Sequence, residues 1–162
     1  MIIKSFETHK INLDKSHFIL LYGKNEGFKN QIAINLLKEK VITSNYEEIE
    51  IINNPNEFFQ SISSKSLFET EKIIFIKRAT DKIFKIISEL VEKKFENLIV
   101  IIDSENLEKK SKLRAFFEKS KECICIPFYP DTNETLSKIT FQILKKKNIS
   151  ISSQNINLVV NK

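Results

Sequence analysis

Residues 18–31 read FILLYGKNEGFKNQ, an apolar run closed by Gly23 and followed by Gly27 and Lys29. That order is close to a strand entering a phosphate-binding loop, G-x-x-x-x-G-K-[ST]. Such a loop works by curling backbone N–H groups round a phosphate, pairing the phosphate with Lys, and holding Mg²⁺ through a hydroxyl. Aligned on Gly23 and Lys29, the second glycine position is Phe28, the hydroxyl position is Asn30, and Gly27 comes one residue early. A phenyl ring crowds the close backbone approach, and an amide is a weak magnesium ligand. Glu26 sets a carboxylate where phosphate charge belongs. An NTPase also needs an acidic pair after a hydrophobic strand. Here LIVIIDSENL (98–107) gives Asp103, then Ser104, with Glu105 one place late. The stretch reads as the shell of a phosphate loop, with Gly23 turning out of a strand and Gly27 in the first turn of a helix.

Working outward, the pattern alternates between strands and helices. Strands are predicted at 17–23, 46–52, 72–77, 98–103 and 122–127; IIFI and LIVII are continuous apolar runs, as in strands covered on both faces. Between them, Phe28, Ile32, Ala33, Leu36 and Leu37 form one stripe of a helix over 26–39. Pro55 suits the first turn of a helix to Ser63 carrying Phe58, Phe59 and Ile62. Thr80 can cap a helix with Ile83, Phe84, Ile87, Leu90 and Val91 inward, and Leu113, Phe116 and Phe117 repeat after Ser111. The expected fold class is α/β: a mostly parallel sheet of about five strands with helices on both faces. Ligands of such sheets sit at the carboxyl ends of strands, where Gly23 falls. The first domain is expected over 1–130. Asp131 to Glu134 resembles a capping box opening a helix to about Lys147, and another helix begins at Ser153. Residues 131–162 are read as the beginning of a helical lid domain too short to complete itself, so the chain is expected to be the front part of a longer protein.

Composition narrows the function classes. Of 162 residues 41% are apolar and 13 are Phe, enough to fill one core, and only two are Gly where average usage gives roughly eleven. Each remaining glycine is therefore expected where the backbone has no substitute. The net charge of +5 is spread without one dense tract and reads as solvated surface. No stretch approaches the roughly 18 apolar residues of a membrane span, and the start is too polar for a secretory signal, so the expected location is cytoplasmic. Cys123 and Cys125 lie in CICIP; two ligands make no structural zinc site, and i,i+2 on a strand is poor disulfide geometry. They read as buried reduced thiols. No metal and no cofactor is expected.

Four stretches in order, FILLYGKNEGFKNQ, KSLFETEKIIFIKR, LIVIIDSENLEKKSKLRAFFE and CICIPFYPD, resemble the delta subunit family of the bacterial DNA polymerase III clamp loader. The resemblance implies an AAA+-type fold that does not hydrolyse ATP and has no catalytic residues, in keeping with the damaged loop of Gly23, Gly27 and Lys29. It also implies a role, since delta grips the ring-shaped beta sliding clamp and opens it for loading onto primed DNA. The gamma/tau and delta-prime subunits would be further partners, with DNA met mainly through the assembled complex and no membrane involved. In the family the clamp contact follows a helix and ends in a Ser-Leu-Phe tip. Carried onto ISSKSLFETEK, the tip is Ser66, Leu67 and Phe68, and the contact element spans about 55–68. Ser64 and Lys65 replace the Gln and Leu of fuller clamp-binding peptides, so weaker anchoring at the tip is expected, with the helix adding a second contact. On residues alone, Leu67 and Phe68 read first as core contacts of the next strand, with an exposed plug as the other reading. KKSKLR (109–114) reads as a solvated loop and helix start, with a face toward DNA or a neighbouring subunit as the other reading. The alternative of another class is an active P-loop ATPase or small-molecule kinase. A delta-prime-like regulatory subunit would need a zinc-binding cysteine cluster that two cysteines cannot form.

Overall fold

The computed structural model describes residues 1–13, 17–37, 44–64, 71–95 and 97–161. The chain divides into two units, Met1–Phe128 and Tyr129–Lys162. In the first, five parallel strands stand in the order β2-β3-β4-β1-β5. They are β1 (Phe18–Gly23), β2 (Ser44–Glu47), β3 (Lys72–Lys77), β4 (Leu98–Ser104) and β5 (Cys123–Phe128). Every residue of β1 is buried, because this strand lies between β4 and β5, with Phe18 opposite both Val100 and Cys123. Strand order reverses at β1 and β4, so the loops leaving these strands diverge and open a crevice at their carboxyl ends.

Alternation along the strands gives two cores. Phe18, Leu20, Tyr22, Ile74, Ile76, Val100, Ile102, Cys123 and Cys125 face helices α2 (Glu48–Asn53), α3 (Pro55–Ser63), α4 (Phe84–Lys93) and α5 (Lys112–Lys119). Ile19, Leu21, Ile73, Ile99, Ile101, Ile124, Ile126 and Phe128 face α1 (Glu26–Leu36) and the N-terminal segment. That segment pairs Ile2 with Cys125, then makes a 3-10 turn over Ser5–Lys10. The Met1 amine donates to the carbonyls of Cys123 at 2.6 Å and Ser120 at 2.8 Å.

The sheet and its two-sided cover match the sequence expectation, but one strand does not. The predicted strand 46–52 is the short β2 followed at once by α2. Its Glu47 side chain accepts from the backbone of Glu50, and the Glu50 carboxylate accepts from Glu47 N–H at 2.7 Å. This reciprocal cap starts a helix in EIEII despite its strand-like alternation. Elsewhere the starts follow the sequence: Thr80 accepts from Lys82 N–H, leading through a 3-10 turn into α4, and Ser111 accepts from Arg114 N–H at α5.

The second unit holds α6 (Asn133–Lys146) and α7 (Ser153–Val160). The cap of α6 is Thr132, whose hydroxyl accepts from Thr135 N–H at 3.2 Å, rather than a box formed by Asp131 and Glu134. With the helix opening at Asn133, Glu134 is too early to reach back, and it pairs with Lys138 at 2.7 Å. Asn133 and Asn161 join the two helices by a side-chain hydrogen bond of 2.9 Å. Among the described residues no helix is long and apolar enough to cross a membrane.

Candidate functional site: the closed phosphate loop

Gly23 ends β1 with φ +132°, and its N–H donates to the Glu105 carbonyl at 2.9 Å. A Cβ built there would lie 2.1 Å from the carbonyl oxygen of Phe128 on β5, so only glycine fits. Gly27 differs: a Cβ there meets nothing within 4 Å. The expectation that both glycines are irreplaceable fails at Gly27, since it lies in an ordinary helical turn with open space beside it.

Only Lys24 and Asn25 separate β1 from α1. Asn25 caps the helix, its side-chain oxygen accepting from Phe28 N–H at 3.2 Å and its carbonyl from Lys29 N–H at 3.0 Å. Two N–H groups that a phosphate loop would turn on its ligand are thus spent on the helix. Phe28, at the second glycine position, packs edge-on against Phe128 with ring centroids 5.6 Å apart. Asn30 is exposed.

Lys29 is 1% exposed, and its ammonium is fully committed. It lies 2.8 Å from Asp103 and 2.7 Å from Glu26, and donates to the carbonyls of Ser104 at 2.8 Å and Gly23 at 3.4 Å. Burial pushes the Asp103 carboxyl up from its ordinary value, more than its Lys29 partner pulls it down, with Glu26 and Glu105 adding in the same upward sense. Ser104, which stands where an NTPase has its second acid, is buried with its hydroxyl donating to the Ala79 carbonyl. With one ammonium facing two carboxylates, Lys29 has no spare positive charge of the kind a phosphate loop offers its ligand. Glu26 lies three residues before Lys29, a spacing at which helical side chains meet. That sequence signal, read as a negative charge in the phosphate position, also locates the partner that satisfies the lysine.

The structure brings Gly23, Lys29 and Asp103 together as the sequence suggests. The clamp-contact tip Ser66, Leu67 and Phe68 lies outside the described residues. Its leading helix is α3, Pro55–Ser63, with Phe58 and Ile62 buried and Asn56, Glu57, Gln60 and Ser63 exposed, so the face it offers outward is polar. In KKSKLR, Lys109 and Lys110 are exposed, but Arg114 is turned inward. It donates to Glu118 at 2.7 Å and the Leu107 carbonyl at 3.0 Å, with its guanidinium 5.0 Å from the Tyr22 ring centre. A further anchor is Asp81, which accepts from Ser111, Lys112 and Leu113 at 2.6 to 3.1 Å and ties the β3–α4 loop to the start of α5. Among the described residues no three His, Cys, Asp or Glu side chains are grouped to hold a metal.

No protein-family model and no curated protein matches the sequence. Solved structures do match in fold. The DNA clamp loader delta protein of Bacillus subtilis superposes with TM-score 0.66 at 13% identity, over 96% of this chain and 51% of that one. Domain III of the Thermotoga maritima replication initiation protein DnaA gives 0.51 at 12% identity, over 96% and 72%. A replication initiator DnaA bound to AMPPCP and single-stranded DNA gives 0.55 at 18%, over 92% and 51%. The chain spans about half the length of the clamp loader protein it matches. Its five-stranded parallel sheet with flanking helices is the α/β fold of AAA+ domains.

Proposed function

We propose that this chain acts as a clamp-loader delta-type subunit: it binds a ring-shaped sliding clamp and favours its open form during replication, without hydrolysing ATP. The observation that carries the reading is Lys29, buried and held by Asp103, Glu26 and two backbone carbonyls, in an AAA+-type fold. A nucleotide would have to displace two carboxylates to reach it. A protein of this fold without a usable phosphate site is suited to mechanical work through binding. Greater affinity for the open ring than for the closed one shifts the ring's equilibrium by that difference alone. Leu67 and Phe68 would supply the anchor, since burying such side chains fully is worth about 1.5–3 kcal/mol each. The polar outer face of α3 would make the second contact. Gamma/tau and delta-prime subunits would be its neighbours in the complete loader.

The test is binding of the chain to its cognate sliding clamp, comparing wild type with Leu67→Ala/Phe68→Ala. The reading requires wild-type binding and a loss of about tenfold or more in the folded double variant. Absence of binding by both folded proteins would overturn it. The second reading, a nucleotide-binding enzyme, has in its favour the fold shared with the DnaA that holds AMPPCP. Titration with ATP and Mg²⁺ separates the two: the delta reading requires no saturation up to about 1 mM, a binding energy near 4 kcal/mol.

A further inference from the structure

Beside β2 lies a cleft of about 370 Å³, away from the phosphate loop. Its floor is aromatic: the rings of Tyr46 and Phe58 meet edge-on at 5.1 Å, and the Tyr46 hydroxyl is held 3.0 Å from Ser61 Oγ. Glu50, Glu57, Asn45 and Asn54 also line it, the Glu50 carboxylate at the same time accepting from Glu47 N–H. Among the described residues no cation lines it, although the chain as a whole carries net charge +5. The nearby Lys72 ammonium is committed to the Ser61 carbonyl. Asn54 stands at the N-cap of α3, yet its side chain makes no capping bond, and the residue lines the cleft. A residue that breaks a local rule at the mouth of a cavity is a sign of a ligand.

We propose that this cleft takes the arginine or lysine side chain of an extended segment of a partner protein, laid along the outer edge of β2. Two carboxylates and an electron-rich floor complement a cation with a flat or slender stem. The segment is extended because, among the described residues, β2 pairs with β3 alone and ends the sheet. Apart from the Glu47 N–H, which the Glu50 carboxylate holds, its outer N–H and C=O groups are a template for one more strand. The inference is independent of the clamp reading and of Leu67 and Phe68.

The experiment is an amide NMR titration of the full chain with a capped Thr-Val-Arg-Val-Thr peptide. Its Gln-for-Arg analogue, propylguanidinium, spermidine and phosphate serve as comparators. The arginine peptide is expected to shift the backbone amides of Ser44–Glu47 and the side-chain amides of Asn45 and Asn54. It should bind more tightly than propylguanidinium, which supplies the cation without the strand. Glu57→Gln, which touches no capping bond, is expected to weaken it about two- to fivefold. Glu50→Gln/Glu57→Gln should weaken it further, and where that variant is unfolded Glu57→Gln alone decides. The proposal is overturned if the Gln analogue binds as well, if spermidine matches the arginine peptide, or if phosphate shifts the same resonances. It is also overturned if folded Glu57→Gln binds unchanged or no probe shifts these residues.

Discussion

The ammonium of Lys29 on α1 lies 2.8 Å from the carboxylate of Asp103 at the end of β4. Two residues placed by sequence to hold phosphate and magnesium instead hold each other, so the crevice between these elements is closed by its own ion pair. Lys29→Met would leave Asp103 half-buried without its main partner and is expected to destabilise the fold by about 3 kcal/mol. Lys29→Met/Asp103→Asn should regain at least half of that loss. Urea unfolding of the three proteins checks it; equal midpoints for the single and double variants would show that the pair is not coupled.

The two glycines should respond with opposite sign. Gly23→Ala forces a Cβ into the Phe128 carbonyl at a φ of +132° and is expected to cost about 3 kcal/mol or more, or to prevent folding. Gly27→Ala, in a helix with open space at that position, is expected to add about 0.5–1 kcal/mol. Thermal unfolding of both variants is sufficient.

Asp81 should shape the acid limb of stability. Burial alone would raise its carboxyl, but hydrogen bonds from Ser111, Leu113 and Lys112 outweigh that and hold it below the ordinary 3.8. A carboxylate lowered in the folded state stabilises above its unfolded value, and the benefit fades as pH falls through the folded one. Asp81→Ala should therefore be less stable than wild type by about 1–2 kcal/mol at pH 7. The gap should narrow as pH drops below 3.8. Asp103 works in the other direction: raised in the folded state, it makes stability fall as pH climbs above that same value. Denaturation across pH with Asp81→Ala isolates the first effect.

Cys123 and Cys125 face the core between β5 and the helices, and burial pushes the Cys125 thiol up to about 12. The native protein should therefore resist thiol reagents at pH 8 and release both thiols only on unfolding. Fast labelling of either in the native state would contradict their placement in the core.

The sheet was legible because β1, β3 and β4 are covered on both faces, and two-sided burial writes itself as unbroken apolar runs such as IIFI and LIVII. Residues 46–52 were not legible in the same way. EIEII alternates like a strand, and only the Glu47–Glu50 cap shows that it is a helix. At the site, Phe28, Asn30 and Ser104 show by identity alone where the stretch departs from a phosphate loop. The partners of Lys29 were harder to see, because Asp103 and the Ser104 carbonyl reach it from far along the chain. Glu26 was readable as a misplaced charge, yet its pairing depends on how early α1 begins. That start is set by Asn25, which closes the turn one residue after Lys24.

The central position of β1 has a consequence for how the protein is made. Its partners are Val100 and its neighbours on one side and Cys123 and its neighbours on the other, so the apolar segment FILLY is synthesised long before anything can pair with it. At about 5–20 residues per second, several seconds pass before β4 and β5 leave the ribosome. Throughout that interval the most buried strand of the finished protein is its most exposed and adhesive segment, as a binding site for a chaperone or a seed for aggregation.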